Sequence, residues 1–157
     1  EQGIPIITSS LRGNAPDTLD PRIKSLNYLN NILAKIEAKN AGCREAILLN
    51  REGYVTECTA DNIFIAREGS LYTPCAYQGI LEGITRETIF ELAETTGIPL
   101  EEKALTQYDL YTSGECFLTG SGAEVIPVTK VDNRIVGTGK PGPLTKKIRK
   151  AFQKLVN

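Results

Sequence analysis

The chain contains no histidine and no methionine. The first absence removes Ser-His-Asp and Cys-His nucleophile systems from these residues, along with every histidine metal site. The second leaves the chain without an initiator residue. It opens on the strand-like run Gly3-Ile4-Pro5-Ile6-Ile7-Thr8, so a piece of a longer protein is expected. No apolar run is long enough to span a membrane, and the first residues do not read as a signal peptide. An excess of either charge is lacking too. Eighteen basic and nineteen acidic residues leave a net charge of −1, which argues against a phosphate-attracting surface or a basic membrane-binding module. Neither nucleic acid nor membrane is therefore expected as a partner. There is no CxxC pair: Cys43, Cys58, Cys75 and Cys116 are 15, 17 and 41 residues apart, too scattered for a zinc site, and no metal is expected. Buried, reduced thiols in a cytoplasmic protein are the reading this spacing favours.

What is present describes one globular domain. The chain has 157 residues, and its apolar fraction of 41% is enough to build a core. A loop over residues 9–21 follows the opening strand. A helix is expected over 25–40, capped by Ser25, with Leu26, Leu29, Ile32, Leu33 and Ile36 on its apolar face. Strands follow at 45–50, 54–57, 62–67 and 70–73, separated by the turns Arg51-Glu52-Gly53 and Glu68-Gly69. A loop over 74–82 leads through Gly83 into a second helix ending at Thr96, stopped by Gly97 and Pro99. Further strands are expected at 100–105, 115–119, 124–130 and 134–136, with a helical turn at 107–112. A last amphipathic helix starts at Pro143, with Leu144, Ile148, Phe152 and Leu155 on one face. The pattern predicts an α/β fold with a mixed, largely meandering sheet.

Four places carry candidate chemistry. Lys24 stands between Ile23 and Leu26 ahead of an apolar-faced helix, where partial desolvation would make its amine a competent nucleophile. Glu57 ends a strand and is backed by Thr59, Asp61 and Asn62, a setting that suits a cationic ring nitrogen. Gly83-Ile84-Thr85-Arg86 opens a helix, whose free N–H groups suit an anion. Gly120-Ser121-Gly122-Ala123 is a small-residue turn able to form an anion-binding nest. Each alone also has a plainer reading: a surface lysine, a solvated glutamate, an ordinary helix start, a tight strand connection. No Walker loop and no GxGxxG fingerprint is present. Together, one lysine, one carboxylate and two phosphate-type turns make the inventory for pyridoxal phosphate: Schiff base, pyridinium partner and phosphate cradle.

The chain resembles the class IV, fold-type IV, pyridoxal-phosphate aminotransferases, and most of all their branched-chain members. The resemblance runs from about Ile4 to Phe152 and rests on Glu57, Asn62-Ile63-Phe64, Leu71-Tyr72-Thr73 and Leu81-Glu82-Gly83-Ile84-Thr85-Arg86. The run from Ile23 to Lys35 is similar to the cofactor-lysine segment, and that from Ser121 to Val128 to the second phosphate turn. The family commonly has threonine where Ser121 stands and alanine where Gly122 stands.

The resemblance implies a mixed sheet forming a pseudo-barrel with flanking helices, like the large domain of D-amino acid aminotransferase. It implies that residues 1–157 are the C-terminal, cofactor-binding domain of a two-domain enzyme. The preceding small domain would supply a phosphate-binding arginine, and the whole protein would act as a homodimer. Lys24 would carry pyridoxal 5'-phosphate as a Schiff base and shuttle the proton. Glu57 would face the pyridinium nitrogen, Tyr28 the phenolic oxygen and Leu81 one face of the ring. Ile84, Thr85 and Ser121 would hold the phosphate, and Gly122 and Ala123 the substrate carboxylate. The implied reaction is transamination of branched-chain L-amino acids with 2-oxoglutarate. D-amino acid transamination and aminodeoxychorismate lysis are its alternatives within the family. A folded domain without catalysis, binding cofactor at most weakly, is the alternative outside it.

Overall fold

Runs rich in Ile, Val, Leu and Phe form the strands. The structure, a computed structural model, describes residues 2–156. Its strands are β1 (Ile4–Arg12), β2 (Glu45–Leu49), β3 (Val55–Cys58), β4 (Asn62–Arg67), β5 (Ser70–Thr73), β6 (Leu100–Glu102), β7 (Glu115–Gly120), β8 (Glu124–Val131) and β9 (Arg134–Ile135). They join into one sheet in the order β3-β2-β1-β8-β7-β4-β5-β6, with β9 paired to β8. The pairs β1–β2, β1–β8 and β5–β6 are parallel and the others antiparallel, so the sheet is mixed, as expected. It curls until β3 approaches β4, and the turn between them closes where Cys58 N–H donates to the Asp61 carbonyl.

Curling gives the sheet an inside and an outside, each with its own core. Ile6, Ile47, Val55, Ile63, Leu118 and Val131 meet inside. On the outside, helices α2 (Ile84–Thr96) and α4 (Pro143–Val156) lay Ile89, Ala93, Ile148 and Phe152 on Phe64 and Phe117. Phe64 and Phe117 face each other across β4 and β7 with their rings stacked, centroids 5.0 Å apart. With a core on each face, β4 is buried at every residue from Asn62 to Ala66, which is why it reads as a continuous apolar run. Helix α1 (Leu29–Asn40) covers β1 and β2 through Ala34 and Ala38 against Ala46 and Leu48. Helix α3 is the short segment Gln107–Tyr111, closed by a capping box between Thr106 and Asp109.

The structure departs from the sequence expectations in several places. Helix α1 begins at Leu29 rather than residue 25, and Ser25 does not cap it. Lys24 and Leu26 have φ of 51° and 66°, values that cannot continue a right-handed helix. The stripe assigned to the core instead faces outward: Leu26, Leu29, Ile32, Leu33 and Ile36 are 79%, 69%, 51%, 44% and 48% exposed. The inward face belongs to the alanines, because Glu37 bonds to Ser9 and Ser10 of β1 and fixes the helix rotation. Strand β1 runs on to Arg12, since its second half pairs with β2. Strand β6 stops at Glu102. Leu155 is exposed, whereas Leu144, Ile148 and Phe152 pack inward. All four cysteines are free thiols; Cys58, Cys75 and Cys116 are buried and Cys43 is half-buried.

Helix α4 takes its N-cap from a distant residue. The Glu115 carboxylate accepts Leu144 N–H at 3.0 Å and Thr145 N–H at 2.7 Å, placing a negative charge at the positive end of the helix dipole. Glu115→Ala should lower unfolding stability by about 1–2 kcal/mol, the range for a lost cap with charged hydrogen bonds. Urea titration measures it, and an unchanged midpoint would refute this role for the carboxylate.

Candidate active site

The turn between β3 and β4, the start of α2 and the turn between β7 and β8 come together at one end of the sheet. They enclose a cavity of about 230 Å³. Lys24, Tyr28, Glu57, Leu81, Ile84, Thr85 and Ser121 all line it. Residues from four separate stretches of sequence thus meet around one cavity. Gly122 and Ala123 are not in its wall; they continue the turn beyond Ser121. A smaller cavity of about 50 Å³ is lined by Lys24, Tyr28, Asn31, Glu57 and Leu81 as well, and reaches Gly13 and Asn14.

Lys24 owes its place to a tight local fold. Asp20 caps the 3-10 turn Pro21–Ile23 by accepting Arg22 N–H at 3.0 Å. Lys24 closes that turn in the left-handed region, its N–H donating to the Pro21 carbonyl at 3.2 Å. Leu26 lies in the same region two residues on, and Tyr28 N–H donates to its carbonyl at 2.8 Å. Two non-glycine residues with positive φ within three positions form a backbone held against its preference, as at functional sites. Lys24 is exposed, contrary to the expected partial desolvation, because its segment loops over the surface before α1 begins.

Glu57 is anchored from two sides. Its Oε2 accepts Leu81 N–H at 2.9 Å and Asn62 Nδ2–H at 3.3 Å. Asn62 is buried and also donates to the Leu81 carbonyl at 2.8 Å, so one amide ties the carboxylate to the loop ahead of α2. Gly83 is required beside it, since a Cβ there would lie 2.6 Å from Asn62 Oδ1. Burial raises the Glu57 pKa from 4.5 to about 8 against the lowering effect of the Leu81 N–H, and the Asp61 charge raises it further. A cation placed against this carboxylate would restore its ionised form.

Beneath Glu57 lies a second acidic group. Glu45 is buried at the start of β2; its Oε1 accepts Ala46 N–H, Thr59 N–H and Thr59 Oγ1–H at 2.8, 3.1 and 2.5 Å. Its Oε2 pairs with Lys35 Nζ at 2.6 Å. Asp61 is pushed up to about 6 by burial first and by Glu45 next, with Lys35 opposing.

The start of α2 in the same cavity suits an anion. Gly83, the N-cap of α2, has no side-chain cap, so the first N–H groups of the helix have no side-chain acceptor. Thr85 is buried and Ile84 exposed. Opposite, residues 121–123 form a hairpin turn in which Ala123 N–H donates to the Gly120 carbonyl at 3.1 Å, leaving the Ser121 side chain exposed. Gly120 is also closely approached: a Cβ there would sit 2.1 Å from Asp61 Oδ1, so the Asp61 side chain would have to move. A lysine, an anchored carboxylate and a helix N-terminus around one cavity fit the aldehyde, ring nitrogen and phosphate of pyridoxal phosphate.

Asn31 and Glu45 belong to the site's framework but were not singled out from sequence. Asn31 lines both cavities and donates to the Thr59 carbonyl at 2.8 Å. Glu45 did carry a signal, as a carboxylate opening an otherwise apolar strand.

The raised pKa of Glu57 has a consequence for stability. The folded protein keeps a proton that the unfolded chain releases near pH 4.5, so this contribution is complete below that pH. It is lost as pH rises to about 8. Asp61 has the same sign, its share being lost by about pH 6. Thermal midpoints of protein freed of cofactor should therefore fall from about pH 5 to about pH 8, and Glu57→Gln should flatten the part above about pH 6. Parallel curves for the two proteins would contradict the assignment.

Comparison with known proteins agrees with the geometry. The family model "Amino-transferase class IV" matches residues 1–131. A putative branched-chain-amino-acid aminotransferase of Methanocaldococcus jannaschii is 49% identical over 153 residues, covering 98% of this chain and 53% of that protein. A D-alanine aminotransferase of Bacillus licheniformis is 46% identical over 131 residues, covering 83% of this chain and 46% of that protein. The crystal structure of the branched-chain amino acid aminotransferase from Thermobaculum terrenum, in its PLP-form, superposes with a TM-score of 0.96 at 38% identity, covering 99% of this chain and 52% of that one. The chain thus spans about half the length of the relatives it matches. Both the family model and the curled mixed sheet show that this chain belongs to the class IV aminotransferases.

Proposed function

We propose that the chain is the cofactor-bearing large domain of a two-domain aminotransferase that uses pyridoxal 5'-phosphate, held as a Schiff base on Lys24. The reaction is transamination of branched-chain L-amino acids with 2-oxoglutarate. The observation that carries this reading is the cavity itself, where Lys24, Glu57 and the N-terminus of α2 converge.

Lys24 Nζ would hold the cofactor and would move the proton to and from the substrate Cα. The bound cofactor supplies the electron sink for that step. Glu57 would pair with the ring nitrogen; a positive charge there would restore the carboxylate's ionised form, and the ion pair would keep the nitrogen protonated. Tyr28 would donate to the phenolic oxygen, and Leu81 would pack on the ring. The Ile84 and Thr85 amides with the Thr85 and Ser121 hydroxyls bind the phosphate. Gly122 and Ala123 present backbone groups to the substrate carboxylate.

The isolated domain offers an open site: Lys24, Ile84 and Ser121 are all exposed. A preceding domain would cover it, and without that cover the fragment is expected to be inactive. The exposed stripe Leu29, Ile32, Leu33 and Ile36 on α1 makes one apolar face, consistent with burial in a homodimer of the full-length protein. The D-alanine aminotransferase relative supports a second reading, with a D-amino acid as donor.

Two experiments test the proposal. Borohydride should fix pyridoxal phosphate onto Lys24, and Lys24→Ala should abolish both the adduct and transamination; an adduct elsewhere would refute the lysine assignment. In the full-length protein, L-leucine, L-isoleucine and L-valine should be transaminated and D-alanine should not. Activity on D-alanine alone would overturn the substrate choice.

A further inference from the structure

Among the described residues, three buried side-chain atoms have no hydrogen-bond partner: Arg86 Nε, Thr119 Oγ1 and Thr145 Oγ1. Of these three residues, Thr119 alone also lines the candidate active site. It is 1% exposed and is the next-to-last residue of β7. Alternation along the strand puts it on the same face as Phe117, which packs among residues of α2 and α4. Register places it opposite Asn62 on one side and Val125 on the other.

Three buried threonines of the sheet and its turns, unlike Thr119 and Thr145, spend their hydroxyls inside the fold. Thr56 donates to the Leu48 carbonyl at 2.9 Å, Thr73 to the Ile63 carbonyl at 2.8 Å and Thr59 to Glu45 at 2.5 Å. A buried hydroxyl with no partner costs free energy, and valine would fill the same space without that cost. An unpaired hydroxyl in the wall of an anion site is explained when the anion is its acceptor. Gly83, Ile84 and Thr85 at the α2 N-terminus and Ser121 in the β7–β8 turn line the same cavity.

We propose that Thr119 is a further ligand of the phosphate group, its hydroxyl donating from the floor of the cradle between the α2 N-terminus and the β7–β8 turn. This rests on the pyridoxal phosphate reading above and adds a residue to it. Thr119 has no part in proton transfer, so it acts on cofactor retention.

The test compares two ligands that differ only in the phosphate. Affinities of the full-length protein for pyridoxal phosphate and for pyridoxal are measured by absorbance, together with the phosphorus NMR shift of the bound cofactor. Thr119→Val should weaken pyridoxal phosphate about ten- to a hundredfold, the range for one hydrogen bond to a charged group. It should also move the phosphorus resonance and leave pyridoxal binding unchanged. Thr119→Ser should retain the parental values, and Thr119→Ala serves in place of valine should that variant not fold. Equal weakening of both ligands would show a structural role and overturn the proposal, as would no change in either. Borohydride fixation of pyridoxal on Lys24 in parent and variant reads the Schiff-base assignment separately, so failure of one inference does not mimic failure of the other.

Discussion

The buried carboxylate of Glu45 is the point through which the site's walls are joined. Three donors and one ammonium converge on it from β2, the turn after β3 and α1. A carboxylate 2% exposed is tolerable only when so fully satisfied, and each donor is held in place by satisfying it. The turn it holds contains Thr59 and Asp61 and directly follows Glu57. The helix it holds follows the strained segment bearing Lys24. One ion pair thereby relates the lysine side of the cavity to the carboxylate side. Asn31, reaching from α1 to the Thr59 carbonyl, makes the same connection a second time.

Around that anchor the electrostatics are divided. Glu57 and Asp61 are both pushed towards the protonated form by burial in the cavity wall. The uncapped start of α2, in the same wall, carries the positive end of a helix dipole. A ligand carrying both a cationic ring nitrogen and an anionic group finds a partner for each in this wall. Close packing around these groups leaves little room at Gly120 and Gly83. Any side chain there would collide with Asp61 or with the amide of Asn62 that holds Glu57.

Much of this was legible in the chain. Strand and helix periodicities placed most elements within a few residues, the inventory of lysine, carboxylate and two anion-binding turns pointed to the cofactor class, and the positions from Glu57 through Asn62 to Gly83-Ile84-Thr85 carried the family resemblance. The failures have specific causes. Apolar residues at helical spacing in α1 read as a core face, but small alanines allow closer approach to β1 and β2 than leucines would, and Glu37 fixed the rotation. The start of α1 was misplaced because positive φ at Lys24 and Leu26 is not a preference of lysine or leucine; the surrounding fold imposes it. Glu45 and Thr119 passed unnoticed because a residue's burial and its lack or wealth of partners exist only once distant strands meet.

By itself the sequence determined the elements, the mixed α/β class and the inventory of lysine, carboxylate and anion-binding turns, because these depend on local propensity and on residue chemistry. Tertiary structure alone decided that the inventory forms one site. Curling the sheet brings the β3–β4 turn, the α2 N-terminus and the β7–β8 turn to the same end, although they lie far apart in the chain. It also decided which carboxylates are raised and which hydroxyl is left without a partner. Desolvation and hydrogen-bond satisfaction are properties of a packed environment, and no residue carries them before it is packed.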